Sequence, residues 1–115
     1  MGVPKVYIVD RIETMPGRAR EFVDRYLAEY VPGAIGRGMT LAQVLVAPPL
    51  WFDDRSNTVT VTWQLDGTDG WWEMTWQGRP DPGPGRWWAE VDHLIARRTR
   101  ESAAAAADIE VLADV

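Results

Sequence analysis

With 115 residues the chain has the length of one domain, and at that size about two thirds of the unfolded surface can be buried, so residues 1–115 are expected to share one core. It has no Cys, which excludes a disulfide framework and any thiolate metal site. A net charge of −5 argues against a nucleic-acid partner, since phosphate binding depends on clustered Lys and Arg.

The chain opens MGVPKVYIVD, without a charged leader followed by an apolar stretch, and no apolar run approaches twenty residues. A cytoplasmic protein with no membrane partner is the expectation. Lys5 to Glu13, KVYIVDRIE, is rich in β-branched and aromatic residues and reads as the first strand. Val6, Ile8 and Ile12 fall on one side of it, and Tyr7, Val9, Arg11 and Glu13 on the other. TMPG then resets the period, with Thr14 as N-cap and Pro16 in the first turn. Ala19, Phe22, Val23, Tyr26, Leu27, Tyr30 and Val31 recur at helical spacing, and Pro32 and Gly33 end this helix.

Thr40 to Ala47 reads as the second strand, and Pro48 and Pro49 open the turn that leaves it. In that turn Asp53 and Asp54, followed by Arg55, look exposed and do not form a metal site. TVTVTWQL, from Thr58, alternates strictly, with Val59, Val61, Trp63 and Leu65 on one face and Thr58, Thr60, Thr62 and Gln64 on the other. The next stretch, GWWEMTWQGRPDPGPGRWW, holds five of the seven tryptophans. Left in water they would expose about 1,000 Å² of apolar surface, far above what a soluble monomer shows, so they must be buried against something. WWEMTW spans at most two helical turns, and the loop from Gly78 to Gly85 is suited to a shaped flap. A second helix is expected from about Arg86 to Arg100, burying Trp87, Val91, Leu94 and Ile95. Arg97, Arg98 and Arg100 would form its solvated end. After the Ala103–Ala107 run, DIEVLADV is expected to be the last strand.

The order β-α-β-β-α-β is that of a ferredoxin-like α+β fold, a four-stranded antiparallel sheet with two helices on one face. The other face is only moderately polar, and pairing two sheets in a symmetric homodimer would cover it and close a barrel; a solvated face is the rival. In MPGRAREFVDRY after the first strand, TVTWQLDGTDGW at the end of the third and the closing DIEVL, the chain resembles the dimeric α/β barrel superfamily. Within it, the chain is similar to NIPSNAP-like and antibiotic-biosynthesis-monooxygenase-like small domains. The resemblance implies a homodimer but not one activity. Members include cofactor-free monooxygenases, haem-degrading enzymes, cyclases and lactone isomerases, and many have no assigned activity. Haem-degrading members combine His and Trp of the second helical region with an Asn on the first strand, where this chain has Ile8, Val9 or Asp10. No cofactor is expected.

His93, the only histidine, is the one candidate imidazole base; helical geometry sets it about 200° from Val91, on a polar edge near Glu90 and Arg97. Asp10 interrupts the apolar side of the first strand, either as an acid/base carboxylate in a pocket or as a structural carboxylate with solvent or a partner from a neighbouring strand. Tyr7 and Arg11 lie on the opposite side and are the better ligand contacts if that face lines the cavity; a one-residue slip exchanges the sets. Trp63 and Trp87 are expected in the core. Trp71, Trp72, Trp76 and Trp88, with Thr60 and Thr62, are candidates for lining a ligand pocket, since neighbouring helical tryptophans cannot share one stripe. No phosphate loop, dinucleotide fingerprint, nucleophile elbow or HExxH motif occurs. The expected function is binding of a small hydrophobic or aromatic molecule, with or without turnover through His93, Tyr7, Asp10 and Arg11. The alternative is a non-catalytic subunit whose Trp cluster meets a protein partner.

Overall fold

The computed structural model describes residues 4–67 and 83–113. Strands β1 (Lys5–Thr14) and β3 (Thr58–Asp66) form the middle of a four-stranded antiparallel sheet, flanked by β2 (Thr40–Ala47) and β4 (Ile95–Ala104) in the order β2-β3-β1-β4. Between β1 and β2 the chain forms α1 (Ala19–Arg25), a π-helical stretch (Tyr26–Tyr30) and α2 (Val31–Gly36). Helix α3 (Gly83–Glu90) and a 3-10 turn (Asp92–Leu94) precede β4; a second 3-10 turn (Ala106–Asp108) and α4 (Ile109–Ala113) follow it. Each β-α-β unit straddles a third strand, which is the split arrangement of the ferredoxin-like fold.

Alternation places the core. Ile8, Asp10 and Ile12 of β1 lie beside Trp63, Val61 and Val59 of β3, and this row is buried. Phe22 and Tyr26 from the first helical segment and Trp87, Trp88 and Val91 from the second pack onto it in one cluster, so both helical segments cover the same face. Trp63 is fully buried and Trp87 nearly so, as expected of core residues. Tyr7, Val9, Arg11 and Glu13, alternating with the buried row, point to the other face beside Thr58, Thr60, Thr62 and Gln64. Neither the first helical segment nor α3 covers that side.

Three expectations about the elements are corrected. The second helix does not run to Arg100: it stops at Glu90, and residues from Ile95 pair with β1 instead. The helical pattern is real as far as Leu94, since Trp87, Val91 and Leu94 are buried. Beyond it, the free edge of β1 offers a ladder of backbone hydrogen bonds that a longer helix would leave unmade. Arg97, Arg98 and Arg100 therefore belong to a strand and not to a helix end. The closing DIEVL is not a strand but the turn and helix that follow β4, with Ile109 and Val111 exposed.

The first helix also differs at both ends. Thr14 is the last residue of β1, and α1 begins only at Ala19. At the far end Pro32 does not stop the helix; it sits in the first turn of α2, just after the π-helical stretch resets the hydrogen-bond pattern, where a missing N–H is tolerated.

The β2–β3 turn is knitted from inside by Asn57, which is buried. Its Nδ2 donates to the carbonyls of Leu50 (2.8 Å) and Pro48 (3.3 Å), its Oδ1 accepts from the Phe52 N–H (3.3 Å), and its backbone N–H donates to Thr14 Oγ1 (3.3 Å). The same turn closes on Gly17, whose N–H donates to the Arg55 carbonyl at 3.0 Å. Gly17 has φ +75°, and a Cβ there would run into the Asp53 carbonyl oxygen, so the contact requires glycine. Asp53 and Asp54 are exposed, as a turn predicts.

Candidate functional site

Continuation of the first helical segment through Pro32 sets Glu29, Tyr30, Gly33 and Arg37 along one side of it. Opposite them stand Pro84, Arg86, Trp87 and Glu90 of α3, and a cavity of about 360 Å³ lies between. The rings of Tyr30 and Trp87, 5.2 Å apart between centroids, form its apolar wall. Trp87 is held by its Nε1–H, which donates to Glu29 Oε1 at 2.9 Å. Arg25 grips the same carboxylate (3.0 Å) and lies 3.9 Å from Glu90. Arg25 first, and the Trp87 N–H second, hold the Glu29 carboxyl below the usual carboxylate range. The Arg37 guanidinium lies 5.9 Å from the Tyr30 ring centroid.

Behind this wall is a polar network. The Tyr30 hydroxyl accepts from Arg100 Nη2 at 3.1 Å, and Arg100 grips Asp10 in two places, Nε to Oδ1 at 2.6 Å and Nη2 to Oδ2 at 2.9 Å. Asp10 is 2% exposed, and its hydrogen bonds keep the Arg100 guanidinium charged, above an already high ordinary value. Tyr26 stacks on Tyr30 at 4.9 Å, and its hydroxyl accepts from Trp63 Nε1 at 2.8 Å. Arg98 lies 4.0 Å over the Trp88 ring, a cation–π contact at the margin of the core.

Burial pushes the Tyr26 phenol far above its ordinary value of 10.0. The folded chain therefore keeps that proton where the unfolded chain releases it, so this contribution is intact below about pH 10 and is lost as pH rises further. Between pH 9 and pH 11 the wild type should lose about 1 kcal/mol that Tyr26→Phe does not lose. Urea unfolding of both proteins at the two pH values measures the difference; parallel losses would disprove the assignment.

The residues singled out in the sequence do not converge. Asp10 is on the helix-covered face, with its partner supplied by the neighbouring strand. Tyr7, Arg11, Thr60 and Thr62 share the opposite face, where Arg11 pairs with Glu101. His93 is exposed in the 3-10 turn after α3. Trp88 is buried beneath Arg98, so neither it nor Trp87 is a free surface for a partner. Trp71, Trp72 and Trp76 lie outside the described residues, as does most of the Gly78–Gly85 loop; its last residues, from Gly83, begin α3. The cavity is instead formed around Tyr30, Trp87, Arg37 and Arg86. Helical spacing from Tyr30 through Gly33 to Arg37 carries that signal, and it is lost only by ending the helix at Pro32.

No protein-family model matches the chain, and no curated protein matches it in sequence. Among solved structures it is similar to a NIPSNAP family protein with unknown function from Agrobacterium tumefaciens, with a TM-score of 0.67 and 11% identity over 88% of this chain and 87% of the other. A second crystal structure of that protein gives 0.65 over 85% of this chain and 90% of that one, again at 11% identity. This chain has the NIPSNAP-type fold. In it the cavity lies within the helical layer, on the side of the sheet away from Tyr7 and Arg11. Among the described residues no group of three His, Asp or Glu side chains could hold a metal ion, and no helix is long and apolar enough to cross a membrane.

Proposed function

We propose that this NIPSNAP-type chain binds a small aromatic or hydrophobic molecule in the cavity between α2 and α3. The observation that carries this reading is the Tyr30–Trp87 wall, with Trp87 anchored by Glu29, facing about 360 Å³ of space. That volume is at the lower end of small-molecule pockets, and an apolar wall with a few fixed polar groups is their usual composition. Binding is assigned and turnover is not, because the four groups considered for catalysis face three different directions.

Titration with a panel of one- and two-ring aromatic compounds, followed by tryptophan fluorescence, tests the site. A saturable change is expected in the wild type, weakened at least about tenfold in Trp87→Leu, which removes the ring that would stack on the ligand. No saturable response, or equal affinity in the variant, would overturn the reading.

The sheet's outer face, with half-buried Tyr7 and Val9 and the Thr60–Thr62 row, is proposed to pair with that of a second copy. Light scattering should then give twice the monomer mass, and Val9→Arg should return the monomer.

A further inference from the structure

We infer that the ligand of this cavity carries a carboxylate, read by Arg37 and Arg86. The inference rests on the cavity being the binding site and concerns which aromatic molecules it accepts. Four charged side chains line the space: Glu29, Glu90, Arg37 and Arg86. The two carboxylates are turned toward Arg25, which is 3.0 Å from Glu29 and 3.9 Å from Glu90. Glu29 also accepts the Trp87 N–H, so its capacity to draw in a cation is already used.

Among the described residues neither Arg37 nor the exposed Arg86 makes an ion pair, although the chain carries 17 acidic residues against 12 basic ones and Arg25 and Arg100 in the same layer are both matched. Arg37 is half-buried, lying across the Tyr30 ring. It also lies against Gly33: a Cβ built there would come 3.4 Å from Arg37 Nη1, so the guanidinium rests along the helix at van der Waals distance. Helix α2 thus leaves room for the head group at the cavity and supplies no counter-charge.

A guanidinium presents parallel N–H groups that fit a carboxylate in two places, and the partly buried site strengthens such a bond relative to water. An aromatic carboxylate satisfies both halves of the site, its ring against Tyr30 and Trp87 and its anion on Arg37, with Arg86 closing from α3. A neutral aromatic amide of the same shape would leave the two cations unmatched.

Isothermal titration with 2-naphthoate and 2-naphthamide separates these cases. The wild type is expected to bind the naphthoate about tenfold or more tightly than the amide, as one charge-assisted pair would give. Arg37→Gln should reduce that preference to about threefold or less, with Arg86→Gln smaller in effect and Arg11→Gln, on the other face of the sheet, without effect. Raising the salt concentration should weaken the naphthoate and spare the amide. Equal binding of the two probes in the wild type would overturn the inference while leaving the cavity as the ligand site. A preference that survives in both cavity variants, each folded by circular dichroism, would also overturn it, because the anion would then be read elsewhere. Failure of both probes to bind would remove the proposed site itself.

Discussion

Replacing Arg100 with Met is expected to destabilise the protein by about 3 kcal/mol, the largest loss for a single side chain outside the aromatic core. The Asp10 side chain is only 3% exposed, and in the variant it would remain under the helices without its counter-charge. The hydroxyl of Tyr30 would lose its donor in the same step. For a chain of this length the fall in melting temperature should be about 12 °C. The double variant Asp10→Leu, Arg100→Met should recover most of it, since removing both charges leaves no unpaired charge and only the Tyr30 hydroxyl without its donor. A loss below about 1 kcal/mol in the single variant would mean that water reaches Asp10 and that the pair is not structural.

Asn57→Ala should cost about 2–3 kcal/mol, because the side chain satisfies a backbone N–H and several carbonyls that are turned inward around it. Asn57→Asp discriminates donor from filler. The carboxylate keeps an acceptor for the Phe52 N–H but sets a second oxygen against the Leu50 carbonyl, where the amide nitrogen stood at 2.8 Å. It should therefore be at least as destabilising as Ala in urea unfolding. Recovery of stability in the Asp variant would show that the turn does not depend on the amide donor.

The first three strands were legible in their β-branched and apolar residues, buried in β1 and β3 and half-buried in β2: Thr58 to Leu65 alternates without exception, and the strand extends one residue further, to Asp66. The fourth was hidden for a physical reason. Its helix-facing row, read from its pairing with Ile12, Asp10 and Ile8, is Arg98, Arg100 and Ser102, so no apolar alternation marks it. What holds it is a carboxylate 90 positions earlier, a kind of contact that local pattern cannot show. The same limit applies to the cavity. Tyr30 and Trp87 stand out as apolar helical positions, but that their rings meet, and that Arg37 lies beside them, follows only from the packing of the π-helical stretch against α3. Asn57 gave no signal at all, since an asparagine before a strand is an ordinary turn residue.

The Asp10–Arg100 pair also decides where β4 may lie. The second half of that strand runs into a tract of alanines, whose nearly identical side chains would accept a shift along β1 by one position with little penalty. A shift in one direction would bring Glu101 inward beside Asp10, two carboxylates under the helices; the other would bring Thr99, which has no charge to offer. Arg100 is thus the address by which an otherwise ambiguous segment finds one seat in the sheet, and its loss should show as heterogeneity of strand alignment as well as lowered stability.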